Sequence, residues 1–263
     1  MASFYHLNCG NLKSPLIGHA VCHCLLIEVE NKLFLIDTGI GLLDTRFSQE
    51  RIGQNLIDEF QIQLNEATTA IRQITEMGFS STQVTDIVLS HADFDHVGGL
   101  ADFPHANVHL SKEEYESISR QSNRYAHAQF SHHPKFITYS SDDVKWNNMP
   151  ARKVYSSETV QILLIPLFGH THGHCGIAIM KNGKWLLYVG DAFYLQQELF
   201  QVNHPVTKQS TVAAEDNPAR ERSFNSLIEL KAKLPELMMY SYHDINSFEF
   251  YKTSNTDGNN HEN

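Results

Sequence analysis

The sequence predicts an α/β fold in one compact domain, and three observations carry that prediction. Short apolar runs such as Leu33-Phe34-Leu35-Ile36 and Ile162-Leu163-Leu164-Ile165 are continuous rather than alternating, as in strands covered on both faces. Segments of helical spacing lie between such runs, which is how a helix-covered sheet reads in sequence. No fixed-period repeat and no Gly/Ser- or Pro-rich linker divides the 263 residues. Residues 1–252 are therefore expected to fold as a single unit, long enough to bury most of the surface the unfolded chain exposes.

Taken in order, residues 20–28 and 32–37 read as two strands joined at Asn31 in a hairpin, followed by a tight turn at Thr38-Gly39-Ile40-Gly41. Asp37 ends the second strand, where it could cap the turn or orient a catalytic histidine. Across 48–64, Ile52, Leu56, Phe60 and Leu64 recur every four positions, giving an amphipathic face that either packs on the core or covers a site. A helix is expected over 65–77, with Asn65 as N-cap and Gly78 as its stop. Asp86-Ile87-Val88-Leu89 is a buried strand. Residues 107–110 form a short one, with Ser111 capping the helix that follows. Residues 119–150 carry many aromatic side chains without a period and read as an irregular excursion. Strands are expected at 159–165, 176–180, 185–189 and 236–242, and a helix at 216–234 with Pro218 in its first turn. The polar tail 253–263 is expected to be disordered.

Composition narrows the function. A net charge of -10 and no basic run exclude a phosphate-neutralising surface, so no nucleic-acid partner is expected. Cys9, Cys22, Cys24 and Cys175 form no Cys-x-x-Cys pair and read as buried thiols. No run approaches the roughly 18 apolar residues of a membrane span, and no secretory signal opens the chain. A cytoplasmic protein without a membrane partner is the expectation.

The stretch Ser90-His91-Ala92-Asp93-Phe94-Asp95-His96-Val97-Gly98-Gly99-Leu100 places four potential metal ligands within six positions directly after a strand. Imidazole nitrogens and carboxylate oxygens together suit Zn, Mn, Fe or Co. Three more clusters stand directly after apolar runs: His170-Thr171-His172-Gly173-His174, Gly190-Asp191 and Tyr242-His243-Asp244. One histidine alone would say little. Strand ends on one edge of a sheet converge in space, so four such clusters point to a shared site.

With these motifs in this order, from about Cys22 to His243, the chain resembles the metallo-β-lactamase superfamily. The resemblance implies an αββα sandwich, two mixed β-sheets face to face with helices outside, and a dinuclear metal centre on one edge. By position it implies that His91, Asp93 and His170 hold one ion, that Asp95, His96 and His243 hold the second, and that Asp191 bridges them. His172 and His174 match no ligand; His174 is assigned to hydrogen bonding around the ligands. Position 93 departs from the family motif, which carries histidine there, and this exchange of nitrogen for carboxylate favours harder ions. Two divalent ions, zinc first, are the implied cofactors.

Two such ions can share a water, bring its pKa near neutrality and set hydroxide beside a polarised carbonyl. Gly190-Asp191-Ala192-Phe193-Tyr194 and Tyr242-His243-Asp244-Ile245 most resemble the N-acyl homoserine lactonases. That resemblance makes Tyr194 a donor to the substrate carbonyl and Asp95 the proton carrier to the leaving alkoxide. The implied substrate is a lactone or small ester, and the assembly is left open between monomer and homodimer. The competing readings are another ester or thioester hydrolase, a mononuclear iron persulfide dioxygenase, and a degenerate member that binds a ligand without turnover.

Overall fold

The computed structural model describes residues 2–142, 144–201 and 203–256. Among them, twelve strands build two six-stranded sheets. The first contains, in spatial order, β1 (Ala2–Ser14), β2 (Gly18–Val29), β3 (Lys32–Ile36), β4 (Val84–Val88), β5 (Asn107–Ser111) and β6 (Lys135–Tyr139). Its first three strands are antiparallel neighbours, and β3 to β6 run parallel. The second contains β7 (Val144–Trp146), β8 (Met149–Ser156), β9 (Val160–Pro166), β10 (Cys175–Lys181) and β11 (Lys184–Tyr188) as an antiparallel series, with β12 (Met238–Tyr240) added parallel to β11. Helices α1 (Leu42–Arg46), α2 (Ser48–Arg51), α3 (Gln54–Glu59), α4 (Ala70–Glu76), α5 (Phe94–Val97), α6 (Lys112–Ser119), α7 (Thr207–Ala213), α8 (Asn217–Lys233) and α9 (Ile245–Thr256) complete the order.

In the second sheet the continuous apolar runs are divided by side-chain parity between two clusters. Val160, Ile162 and Leu164 of β9, with Ile177 and Ile179 of β10, meet Leu25, Leu35 and Val88 of the first sheet in a central cluster. Their neighbours Leu163, Ile165 and Ala178 face outward and pack with Leu227 and Leu230 of α8. Ile74 of α4 and Ile118 of α6 close the other side of the first sheet. The expected αββα sandwich of mixed sheets is thus observed.

Local predictions hold where the chemistry is short-ranged. Glu30 and Asn31 take φ of 51° and 64°, the left-handed pair a tight hairpin needs between β2 and β3. Ser111 accepts from the Glu114 N–H as the N-cap of α6, and Asp216 accepts from Ala219 at the start of α8. All four cysteines are buried and free.

Other expectations are corrected. The helix expected from Asn65 begins only after Thr69, because Asn65 caps a separate 3₁₀ turn at Glu66–Thr68. Residues 48–64 are two short helices broken at Gly53, whose φ of 96° ends helical geometry. The 119–150 segment is not irregular throughout: it supplies β6 and β7, edge strands too short and too exposed to show a period, and the first residues of β8. Strand 236–242 shrinks to β12. The tail expected from 253 first completes α9 as far as Thr256, and 257–263 lie outside the described residues. No helix among the described residues is long and apolar enough to cross a membrane.

Candidate metal centre

The polar strand ends do converge. His91 follows β4, Asp95 and His96 sit in α5, His170 precedes β10, Asp191 follows β11 and His243 follows β12. Backbone hydrogen bonds stitch the two sheets together at this edge: Cys175 donates to the Ser90 carbonyl (2.9 Å), and His23 and Val21 of β2 donate to Tyr242 and His243 (3.1 and 3.4 Å). Gly190 lets the chain turn into the site, since its φ is 54° and a Cβ there would lie 2.7 Å from His174 Nε2.

Two buried groups of donors result, His91 with His170 and Asp191, and Asp95 with His96 and His243. Within them His96 Nε2 lies 3.5 Å from Asp191 Oδ1, His243 Nε2 lies 3.4 Å from Asp191 Oδ2 and 3.5 Å from Asp95 Oδ2, and His170 Nε2 lies 3.5 Å from Asp191 Oδ2. Donors at zinc-ligand distances on a tetrahedron stand roughly 3.3–3.6 Å apart. His91 Nε2, His96 Nε2 and Asp191 Oδ1 are moreover buried without a hydrogen-bond partner. Such orphans are costly unless something accepts their lone pairs, so this donor set fits divalent metal.

The imidazoles are aimed by what holds their other nitrogen. Asp37 accepts from Ser90 N–H and Oγ (2.8 and 2.6 Å) and faces His96 Nδ1 at 2.8 Å, with the Tyr188 hydroxyl donating to the same carboxylate. Of the two roles open to Asp37, it takes the orienting one. His243 Nδ1 lies 3.0 Å from the Val21 carbonyl. His174 lies between the Leu167 carbonyl at Nδ1 (3.0 Å) and the Asp191 N–H, which donates to Nε2 (3.0 Å). Burial, reinforced by His170, brings its pKa down to about 3, so it stays neutral and fixes the Asp191 backbone. His172 is exposed and does not join the cluster.

Asp93 points inward, 3.3 Å from His91 Nε2 and 3.0 Å from His170 Nε2. Both its oxygens also accept from Arg124. Burial opposes its charge, but Arg124 and the neighbouring histidines hold its carboxyl well below the usual range. Tyr194 is buried beside His170 and His243, and its hydroxyl meets no partner among the described residues.

A cavity of about 540 Å³ opens over these groups, floored by Asp93, Asp95, His170, Asp191, Tyr194 and His243. Leu16, Ile17, Leu56, Phe60 and Phe94 wall it. Residues 48–64 therefore serve both expected roles, Leu56 and Phe60 on the cavity and Ile52 in the core.

Two residues went unnoticed in the sequence. Arg124 lies in a stretch without period. Glu114 reads as an ordinary acid in the first turn of α6, yet is fully buried, accepting from Ala92 N–H, Thr171 Oγ, Gly173 N–H and the Tyr125 hydroxyl. It thereby ties the loop of His91 to that of His170.

A two-sheet sandwich with paired His/Asp donor groups at one edge defines a class of metal-centred hydrolases. Residues 17–242 match the Metallo-beta-lactamase superfamily profile, and the chain belongs to that superfamily. It is 32% identical over 256 residues to a protein of Mycobacterium tuberculosis named probable metallo-hydrolase, covering 93% of this chain and 81% of that one. An N-acyl homoserine lactonase of Bacillus thuringiensis is 25% identical over 178 residues, 66% of this chain and 64% of that one. Among solved structures, an N-acyl homoserine lactone hydrolase with N-hexanoyl-L-homoserine at its catalytic metal centre superposes with a TM-score of 0.71 at 19% identity, covering 95% of each chain. A dizinc quorum-quenching lactonase does so with 0.63 at 19%, covering 93% and 88%. The protein is a metallo-hydrolase of this superfamily.

Proposed function

We propose that this metallo-hydrolase opens lactone rings, with N-acyl homoserine lactones first and other small carboxylic esters second among its substrates. The observation that carries this reading is Tyr194, whose hydroxyl meets no partner among the described residues and whose ring stands beside His170 and His243 at the floor of an apolar-walled cavity. The lactonase names of its distant relatives support it.

In this reading His91, Asp93 and His170 would hold one ion and Asp95, His96 and His243 the other, with the two oxygens of Asp191 available to either. Zinc is the first expectation, and the mixed donors also accept Mn, Fe or Co. Bound divalent ions supply a water-derived nucleophile at neutral pH and draw electron density from the ester carbonyl.

The chain's own groups supply the rest. Burial and the carboxylates of Asp191 and Asp93 push the Tyr194 phenol well up, keeping it protonated as a donor. It serves the carbonyl oxygen as negative charge collects there. Asp95 is the group that passes a proton to the departing alkoxide in this reading; in the metal-free protein burial pushes its carboxyl up, despite His96 and His243. Leu16, Ile17 and Phe60 take up the apolar part of the substrate, at about 25 cal/mol per Å² removed from water.

Metal analysis of the purified protein, combined with turnover of acyl homoserine lactones and a generic aryl ester, tests the proposal. Hydrolysis of the lactones with bound metal is expected. Fewer than about one ion per chain after reconstitution, or no turnover of either substrate, overturns it.

A further inference from the structure

Arg124 reaches the donor cluster from the segment between α6 and β6. Its Nε and Nη2 donate to Asp93 Oδ1 and Oδ2 at 2.6 and 2.5 Å, and Nη1 donates to the Ala213 carbonyl at 2.8 Å. Nη2 also lies 3.0 Å from His170 Nε2. That nitrogen lies in turn 3.0 Å from Asp93 Oδ2. A guanidinium carries five N–H donors and no acceptor, and it stays charged at any pH a protein survives. It therefore donates to both Asp93 oxygens and stands within contact of His170 Nε2, in front of the atoms a metal ion would use. The other side of the centre is different. Among the described residues, no Lys or Arg pairs with Asp95 or Asp191, whose ion-pair partners are histidines alone.

We propose that Arg124 makes the two metal sites unequal: a first divalent ion enters at Asp95, His96 and His243, and a second enters beside His91 and Asp93 only when Arg124 releases His170. This rests on the reading of the centre as a holder of divalent ions. The fork suits the exchange at position 93, because a histidine there would offer no carboxylate for a bidentate grip. Arg124 thus stands as a resident cation on the side that gained a negative charge.

Zinc titration of the metal-free protein, followed by native mass spectrometry and by competition with a chromophoric chelator, tests the proposal. The wild type is expected to fill in two steps whose dissociation constants differ by at least about tenfold, the scale on which groups behind a ligand move metal affinity. Arg124→Met should close that gap by tightening the weaker step, and Arg124→Lys, which keeps the charge and loses the fork, should close it partly. His170→Ala should abolish the weaker step and leave the tighter one in place. The last two variants carry the test if Arg124→Met does not fold. Two equal steps in the wild type overturn the proposal, as does loss of the second zinc in Arg124→Met, since Arg124 would then be supporting Asp93 as a ligand. Equal filling with normal lactone turnover removes this inference alone, whereas no zinc binding in any variant removes the hydrolase reading with it.

Discussion

On the side of Asp95, His96 and His243, both imidazoles are turned by buried partners at Nδ1, the Asp37 carboxylate and the Val21 carbonyl. On the side of His91, Asp93 and His170, His91 Nδ1 lies 3.0 Å from Ser90 Oγ, the His170 Nδ1 is buried without a partner among the described residues, and a guanidinium grips the carboxylate from the cavity side. The first side has both imidazoles held from behind and no cation in front; the second has one of its two imidazoles held from behind and a cation in front. The two sides teach that ligand identity alone does not set a metal site, because the groups touching each ligand decide whether its lone pair is aimed and whether its charge is already spoken for.

The largest effect is expected where the two sides meet. Asp191→Asn should remove metal from both and lower turnover on the order of 10³-fold, measured by metal content and ester hydrolysis. Retention of one full equivalent would show that a single side suffices. Next comes Tyr194→Phe, expected to lower kcat about 10²-fold with metal content and KM nearly unchanged. An unaltered kcat would return Tyr194 to the cavity wall. Asp37→Asn should weaken metal on the His96 side by about 10- to 100-fold in a chelator competition and reach the Arg124 side more weakly, through Ser90 and His91. Equal weakening of both would erase the contrast drawn above.

The smallest effect concerns Glu114, behind the His91 and His170 loops. Burial raises its pKa from 4.5 to about 7, against hydrogen bonds from Thr171 and Tyr125. A carboxyl with a raised folded-state pKa contributes stability that is fully present below about pH 4.5 and lost as pH rises through about 7. Glu114→Gln should therefore flatten the pH dependence of urea unfolding of the metal-free protein in that window, by at most about 1.4 kcal/mol per pH unit. An identical slope in wild type and variant would remove Glu114 as the source.

Much of this was legible in the sequence, for physical reasons. The donor-bearing turns follow the apolar strands that form the core, so a reading of strands also located the donors. Hairpin and capping residues act within a few positions, which is why Asn31 and Ser111 announced their roles. Asp37 was legible as a candidate, but which of its two roles it filled depended on His96, 59 residues away. Arg124 meets Asp93 across 31 residues and Tyr188 meets Asp37 across 151, separations that no local period encodes. β1 was missed because its run of 13 residues mixes polar and apolar side chains on both faces. The short edge strands within 119–150 were missed because exposed edges carry little apolar signal.

The stitches between Ser90 and Cys175, and between β2 and the residues after β12, also set an order of events in time. A nascent chain offers an ion only the run from His91 to His96, since His170, Asp191 and His243 are brought near it only when the two sheets dock. A complete donor set is thus assembled only once the two sheets have docked at this edge. Opening of this seam would dismantle the whole donor set at once.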